Sequence, residues 1–147
     1  MGFSHYWTIN SSITEKFPDF SKDCQKVIKH EIKNGTKLSF EYSEEDRAPV
    51  TNDTIVRFNG PGEEGHETFL VSTSERGFQF CKTARKPYDT AATACLLLAK
   101  HHFGSAIEIT SDGGPEGFNR AFLVLSRVFP DRKFLENQKW YSKDTDK

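Results

Sequence analysis

The chain has 147 residues, with 20 Lys and Arg against 21 Asp and Glu and a formal net charge of −1. That length suits one domain with a single core. The charge balance excludes a global field drawing the molecule to nucleic acid or membrane, leaving only local basic clusters to attract anions.

No run approaches the roughly 18 apolar residues of a membrane span. The N-terminus lacks the basic-then-apolar pattern of a signal peptide. Cys24, Cys81 and Cys95 are odd in number and widely spaced, which argues against a disulfide framework and, without a CxxC, against a zinc knuckle. A reducing cytoplasm fits. The expected organisation is one α+β domain over residues 1–142 and a disordered tail over 143–147.

In chain order, Ser4–Ile9 is aromatic and β-branched and reads as a strand. Phe20, Cys24, Val27, Ile28 and Ile32 recur at helical spacing, so 18–33 reads as an amphipathic helix stopped by Asn34-Gly35. Lys37–Tyr42 alternates as a strand, and 43–52 reads as a polar loop. Thr54–Asn59 and Glu67–Val71 form a hairpin whose long, mobile tip is the glycine-rich 60–65. Phe78–Thr83 is the next strand. Tyr88–Phe103 follows as a helix, apolar nearly all round at its centre and therefore buried. Ala106–Thr110 is a strand, and Glu116–Phe129 a helix with Phe118, Phe122, Leu125 and Phe129 on one stripe.

The expected fold is α+β: a mostly antiparallel sheet of five to six strands, one βαβ crossover, a buried central helix and two further helices. If the strands at 78–83 and 106–110 share a sheet across the helix, they run parallel. Their C-terminal ends then bring the loop 82–89 near the loop 111–115.

The candidate site follows from that convergence. Lys82, Arg85 and Lys86 supply charge beside a helix N-terminus, which attracts anions. Thr83 and Ser111 add donors. Tyr88 offers a ring for stacking, and Asp112 or Glu67 a carboxylate for hydroxyl or amine groups. Asp89 reads as the helix cap, competing for the same N–H groups. The competing reading is a solvated basic turn. Asn59 and Glu67 flank the hairpin tip, where a polar hairpin end is an equal reading. His5 and Trp7 share one strand face and Tyr6 takes the other; a core or interface role is the preferred reading for the three, with His5 the functional candidate among them.

No HExxH, GxSxG or complete phosphate-loop spacing occurs. No metal and no cofactor is expected. Adjacent His101 and His102 diverge on a helix and make a poor chelate. Cys81 alternates inward.

Met1–Trp7, Phe58-Asn59-Gly60, His66–Phe69, Phe80–Thr83, Pro87-Tyr88-Asp89 and Ser111-Asp112-Gly113 together resemble a family of small hypothetical proteins of bacteria and phages. Its members open Met-Gly-Tyr-Thr-His-Tyr-Trp and carry a Phe-Cys-Lys-Thr…Pro-Tyr-Asp block; here Phe3-Ser4 replaces Tyr-Thr. The resemblance implies a cytosolic protein, in the host cytoplasm if phage-encoded, and supplies no catalytic residue.

The reading preferred from sequence is non-enzymatic binding of a small anionic ligand, a nucleotide or nucleotide-derived signal. Sequestering a host defence signal is a natural use if the gene is viral. Two alternatives stand beside it. One is a phosphoester or nucleotide hydrolase using Glu67, Asp112 or His66. The other is a protein-interaction domain presenting Phe134, Leu135, Trp140 and Tyr141. A homo-oligomer is compatible with all three.

Overall fold

A computed structural model describes residues 3–134 and 140–142. Six strands and three helices are assigned in it: β1 Ser4–Ile9, α1 Phe17–Lys33, β2 Val50–Thr51, β3 Ile55–Phe58, β4 Phe69–Ser72, β5 Gly77–Lys82, α2 Asp89–Phe103, β6 Ile107–Ser111 and α3 Asn119–Val128. Short 3-10 turns at Gly62–Glu64, Gly104–Ala106 and Pro115–Phe118 link them. The expected tail at 143–147 lies outside the described residues. None of the described helices is long and apolar enough to cross a membrane.

The strands form two three-stranded antiparallel sheets, in the orders β5-β1-β6 and β2-β3-β4. The expected single sheet of five to six strands is therefore corrected, and the break has a local cause. Glu67 N–H donates to the Lys82 carbonyl (3.1 Å), as a ladder would require. The return bond is diverted: Lys82 N–H goes to the Glu67 side chain Oε1 at 2.7 Å. The Glu67 carbonyl is already taken by the Tyr88 hydroxyl and the Cys81 thiol. Pairing between the two sheets stops at this one rung.

β1 lies antiparallel to both neighbours, with Ser4 opposite Lys82 and His5 opposite both Cys81 and Ser111. β5 and β6 thus run parallel across α2, as the crossover required. The start of β1 and the ends of β5 and β6 meet on one edge.

α2 is buried along its length, from Ala91 to Ala99. It packs between α1, α3 and the inner face of the β5-β1-β6 sheet, which contributes Trp7, Ile9, Cys81, Ile107 and Ile109. Such all-round burial is what an apolar helix without a polar face demands. The outer face is half open and carries Tyr6, Phe78 and Phe80, with Tyr6 and Phe78 stacked at 5.9 Å.

Lys37–Tyr42 does not form the expected strand. It makes two isolated bridges, Ser39 to Asn59 and, as it turns back, Glu41 to Glu44. Phe40 is sandwiched between the guanidinium groups of Arg47 (3.6 Å) and Arg57 (3.8 Å), which pulls it out of line. The hairpin tip closes tightly: a Cβ on Gly65 would sit 2.0 Å from the Gly60 carbonyl oxygen. Phe134 and Trp140 are buried, and the Tyr141 hydroxyl donates to the Ser111 carbonyl at 3.0 Å. The exposed tail patch expected there is not formed by these three; Leu135 lies outside the described residues.

Candidate functional site

Phe3 and His5, at the start of β1, join the two loops that follow β5 and β6. The Phe3 carbonyl accepts from Thr83 N–H (3.0 Å) and Ala84 N–H (3.1 Å). Its ring lies under the Arg85 guanidinium at 3.9 Å and so close to Gly113 that a Cβ there would meet it at 2.8 Å. Between these anchors the chain turns through two left-handed residues, Ala84 (φ 53°) and Arg85 (φ 58°). Non-glycine residues adopt that region at a cost, which the surrounding contacts must offset.

His5 is fully buried, its ring packed edge-on against Phe3 (5.1 Å) and Phe118 (5.5 Å). Its Nε2 lies 2.6 Å from Asp89 Oδ1 and its Nδ1 2.8 Å from Ser111 Oγ. A carboxylate only accepts, so Nε2 carries the proton. In the neutral ring Nδ1 then accepts from the Ser111 hydroxyl. Thr83 Oγ1 donates to the same Asp89 Oδ1 at 2.5 Å, and Gly113 N–H donates to Ser111 Oγ at 3.2 Å. One buried chain of hydrogen bonds therefore ties β1, β5, β6 and the start of α2 together.

The order serine, histidine, aspartate invites comparison with a nucleophile relay. The exposure runs the other way. Asp89, whose side chain is 20% exposed, lines a cavity; His5 is buried, and Ser111 is not among the residues lining that cavity. The network presents the acid and holds it from behind.

That cavity has a volume of about 350 Å³ and is lined by Phe3, Arg85, Lys86, Asp89, Glu116 and Arg120, among others. A second, of about 610 Å³, adds Glu31, Asn34, Thr36, Leu123, Val124 and Arg127. The two share Arg85, Pro87, Thr90 and Arg120 and form one groove. Arg85, Lys86, Arg120 and Arg127 each lack an ion-pair partner within 4 Å among the described residues. Burial raises the Glu31 carboxyl above its ordinary range, with His30 and Arg120 partly opposing that rise.

A third cavity, of about 650 Å³, is lined by Lys22, Lys26, His101, His102 and Arg132 around Asp23. Asp23 already takes His102 at 2.7 Å and Arg132 at 2.6 and 3.2 Å. Arg132 is thereby paired, unlike the four cations of the groove, while Asp19 also lines this cavity.

The sequence candidates are distributed as follows. Arg85 and Lys86 line the groove. His5, Thr83 and Ser111 belong to the network behind it, and Thr83, fully buried, spends its hydroxyl on Asp89. Asp89 does not cap α2, whose N-terminus has no side-chain cap. Tyr88 is also fully buried and its hydroxyl bonds the Glu67 carbonyl, so its ring has no free face for stacking. Asp112 accepts from Ser4 N–H and the Tyr6 hydroxyl, both at 2.9 Å, with one oxygen each. Glu67 is exposed and holds Lys82 N–H. Asn59 is buried, its side chain bonding Gly60 N–H and His66 at both backbone groups. Lys82, Glu67, Asn59, Asp112 and His66 are not among the groove's lining residues.

Cys81 is buried, and burial pushes its thiol up to about 12, which removes it as a nucleophile at neutral pH. Among the described residues no group of His, Cys, Asp and Glu is arranged to hold a metal ion.

Sequence reasoning missed Arg120 and Arg127. A signal was present: Glu116, Arg120, Leu123 and Arg127 recur at spacings of four, three and four, one helix face. Nothing in the pattern told which loop that face would meet. Comparison of the chain with protein-family models, with curated proteins and with solved structures finds no match.

Proposed function

We propose that the groove between the 83–90 segment and α3 binds a small phosphate-bearing molecule of nucleotide class. The observation that carries this reading is the convergence of Arg85, Lys86, Arg120 and Arg127 on one groove without carboxylate partners within ion-pair distance. Like charges repel, and a protein of net charge −1 has anions available to separate them. Glu31, Asp89 and Glu116 also line the groove, but none is within ion-pair distance of these cations, which outnumber them, so a ligand anion would complete the site. Arginine suits phosphate because its planar fork donates two parallel hydrogen bonds. The cavity volumes fall in the range of small-molecule sites. Pro87, Leu123 and Val124 give the larger cavity an apolar wall for a ring.

Binding is favoured over catalysis. The carboxylates suggested as acid or base, Glu67 and Asp112, are held on backbone N–H groups away from the groove lining. Isothermal titration of the full chain with AMP tests the proposal. Arg120→Ala and Arg85→Ala should each weaken binding about tenfold or more, the effect of losing a charge-assisted hydrogen bond. Unchanged affinity in both variants, or no heat with any phosphate compound, contradicts it.

A further inference from the structure

We propose that the ligand of this groove carries a neutral hydroxyl as well as its anionic group, and that Asp89 receives that hydroxyl. The inference rests on the anion reading above and narrows the ligand to hydroxylated phosphate esters, namely sugar phosphates and ribonucleotides.

Asp89 Oδ1 accepts from both His5 Nε2 and Thr83 Oγ1. Each carboxylate oxygen has two acceptor positions, so Oδ1 is filled. Oδ2 has no protein partner among the described residues, and Asp89 lines the smaller cavity. Both donors behind it are fully buried. They fix the carboxylate plane before any ligand arrives, as preorganised recognition requires.

The sign of the surroundings selects what meets Oδ2. A phosphate oxygen is repelled by Asp89 and Glu116 and drawn to Arg85, Lys86 and Arg120 on the same cavity. An ammonium group is attracted by Asp89 and Glu116 but repelled by the three cations, which outnumber them. A hydroxyl donates a hydrogen bond without net charge and meets neither penalty. Because Oδ1 is occupied, a vicinal diol cannot span both carboxylate oxygens, so one hydroxyl makes the contact.

The test is calorimetry of the full chain with AMP, 2′,3′-dideoxy-AMP, ribose 5-phosphate and inorganic phosphate. AMP should bind about tenfold more tightly than its dideoxy analogue, the effect of one hydrogen bond to a charged acceptor. In Asp89→Asn, Oδ1 keeps the bonds to His5 and Thr83 while an NH2 donor replaces Oδ2. The AMP preference should then shrink, because a neutral amide replaces the charged acceptor, with dideoxy-AMP binding no more weakly than before.

Ribose 5-phosphate matching AMP identifies a sugar-phosphate site. AMP well ahead of it identifies a nucleotide site, and both outcomes support the inference. Equal affinities for AMP and dideoxy-AMP in the unmodified protein overturn it and leave the anion reading intact. That comparison stands even if Asp89→Asn fails to fold. A preference left undiminished in a folded Asp89→Asn also overturns it. No binding by any member of the panel overturns both readings.

Discussion

His5 has no exposed surface, yet both ring nitrogens are engaged by side chains from distant parts of the chain. A buried polar group is tolerated only when its partners are present. His5→Leu would preserve bulk while removing a donor from Asp89 and an acceptor from Ser111. We expect a loss of about 2–4 kcal/mol, from leaving a partly buried carboxylate short of a donor. Urea denaturation measures it, and a change below about 0.5 kcal/mol, the range of inert surface substitutions, would show that the network contributes nothing. The alternation of His5-Tyr6-Trp7 put His5 on the face of Trp7 without telling which face is inside, whereas Cys81 was read as inward. The partners of His5 were not legible, because Ser111 and Asp89 are 106 and 84 residues away and only the folded register brings them together. Tyr88 shows the reverse error. A tyrosine in a basic loop reads as a stacking platform, but its hydroxyl found an acceptor indoors at the Glu67 carbonyl.

At the level of elements, the strongest polar clamp joins α1, α2 and the segment after α3. Asp23 of α1 accepts from His102 of α2 and from Arg132. Burial pushes the Asp23 carboxyl up, but the bonds from His102 and Arg132 outweigh it and hold it at about 2, below the ordinary 3.8. The unfolded chain therefore binds the proton first as pH falls. The clamp's stabilisation is complete above about pH 5 and is lost on acidification through pH 4 to 2. It contributes about 1–2 kcal/mol after allowance for solvent screening. Thermal melts from pH 6 to pH 2 should show a steeper acid loss for the native chain than for Arg132→Met; parallel curves would contradict the assignment. The helices themselves were legible because periodicity and stop signals agreed. Their ends moved by only one to three residues, since caps and 3-10 turns trade places at little cost. The strand at 37–42 was misread because Phe40, alternating correctly, was claimed by Arg47 and Arg57 instead of by a neighbouring strand.

The sheet that positions the site is a split crossover, in which two parallel strands flank an antiparallel first strand with a buried helix beneath, and the β2-β3-β4 sheet stands apart from it. This geometry, inferred from element order, placed the 82–89 and 111–115 loops on one edge. It did not reveal that the groove lies between the first loop and α3. Of the cations and donors expected from sequence, Arg85 and Lys86 line the groove, joined by Arg120 and Arg127, whereas Lys82 and Thr83 do not. The half-open face bearing Tyr6, Phe78 and Phe80 plays no part in that site. The central claim, that this groove and not the Asp23 cavity receives a phosphate ligand, is tested most directly by mapping amide resonances during titration with AMP. Saturable shifts concentrated at residues 84–90 and 116–127 are predicted, with Lys22, Lys26 and His101 unmoved. Shifts centred on the Asp23 cavity, or none at millimolar AMP, would contradict the account.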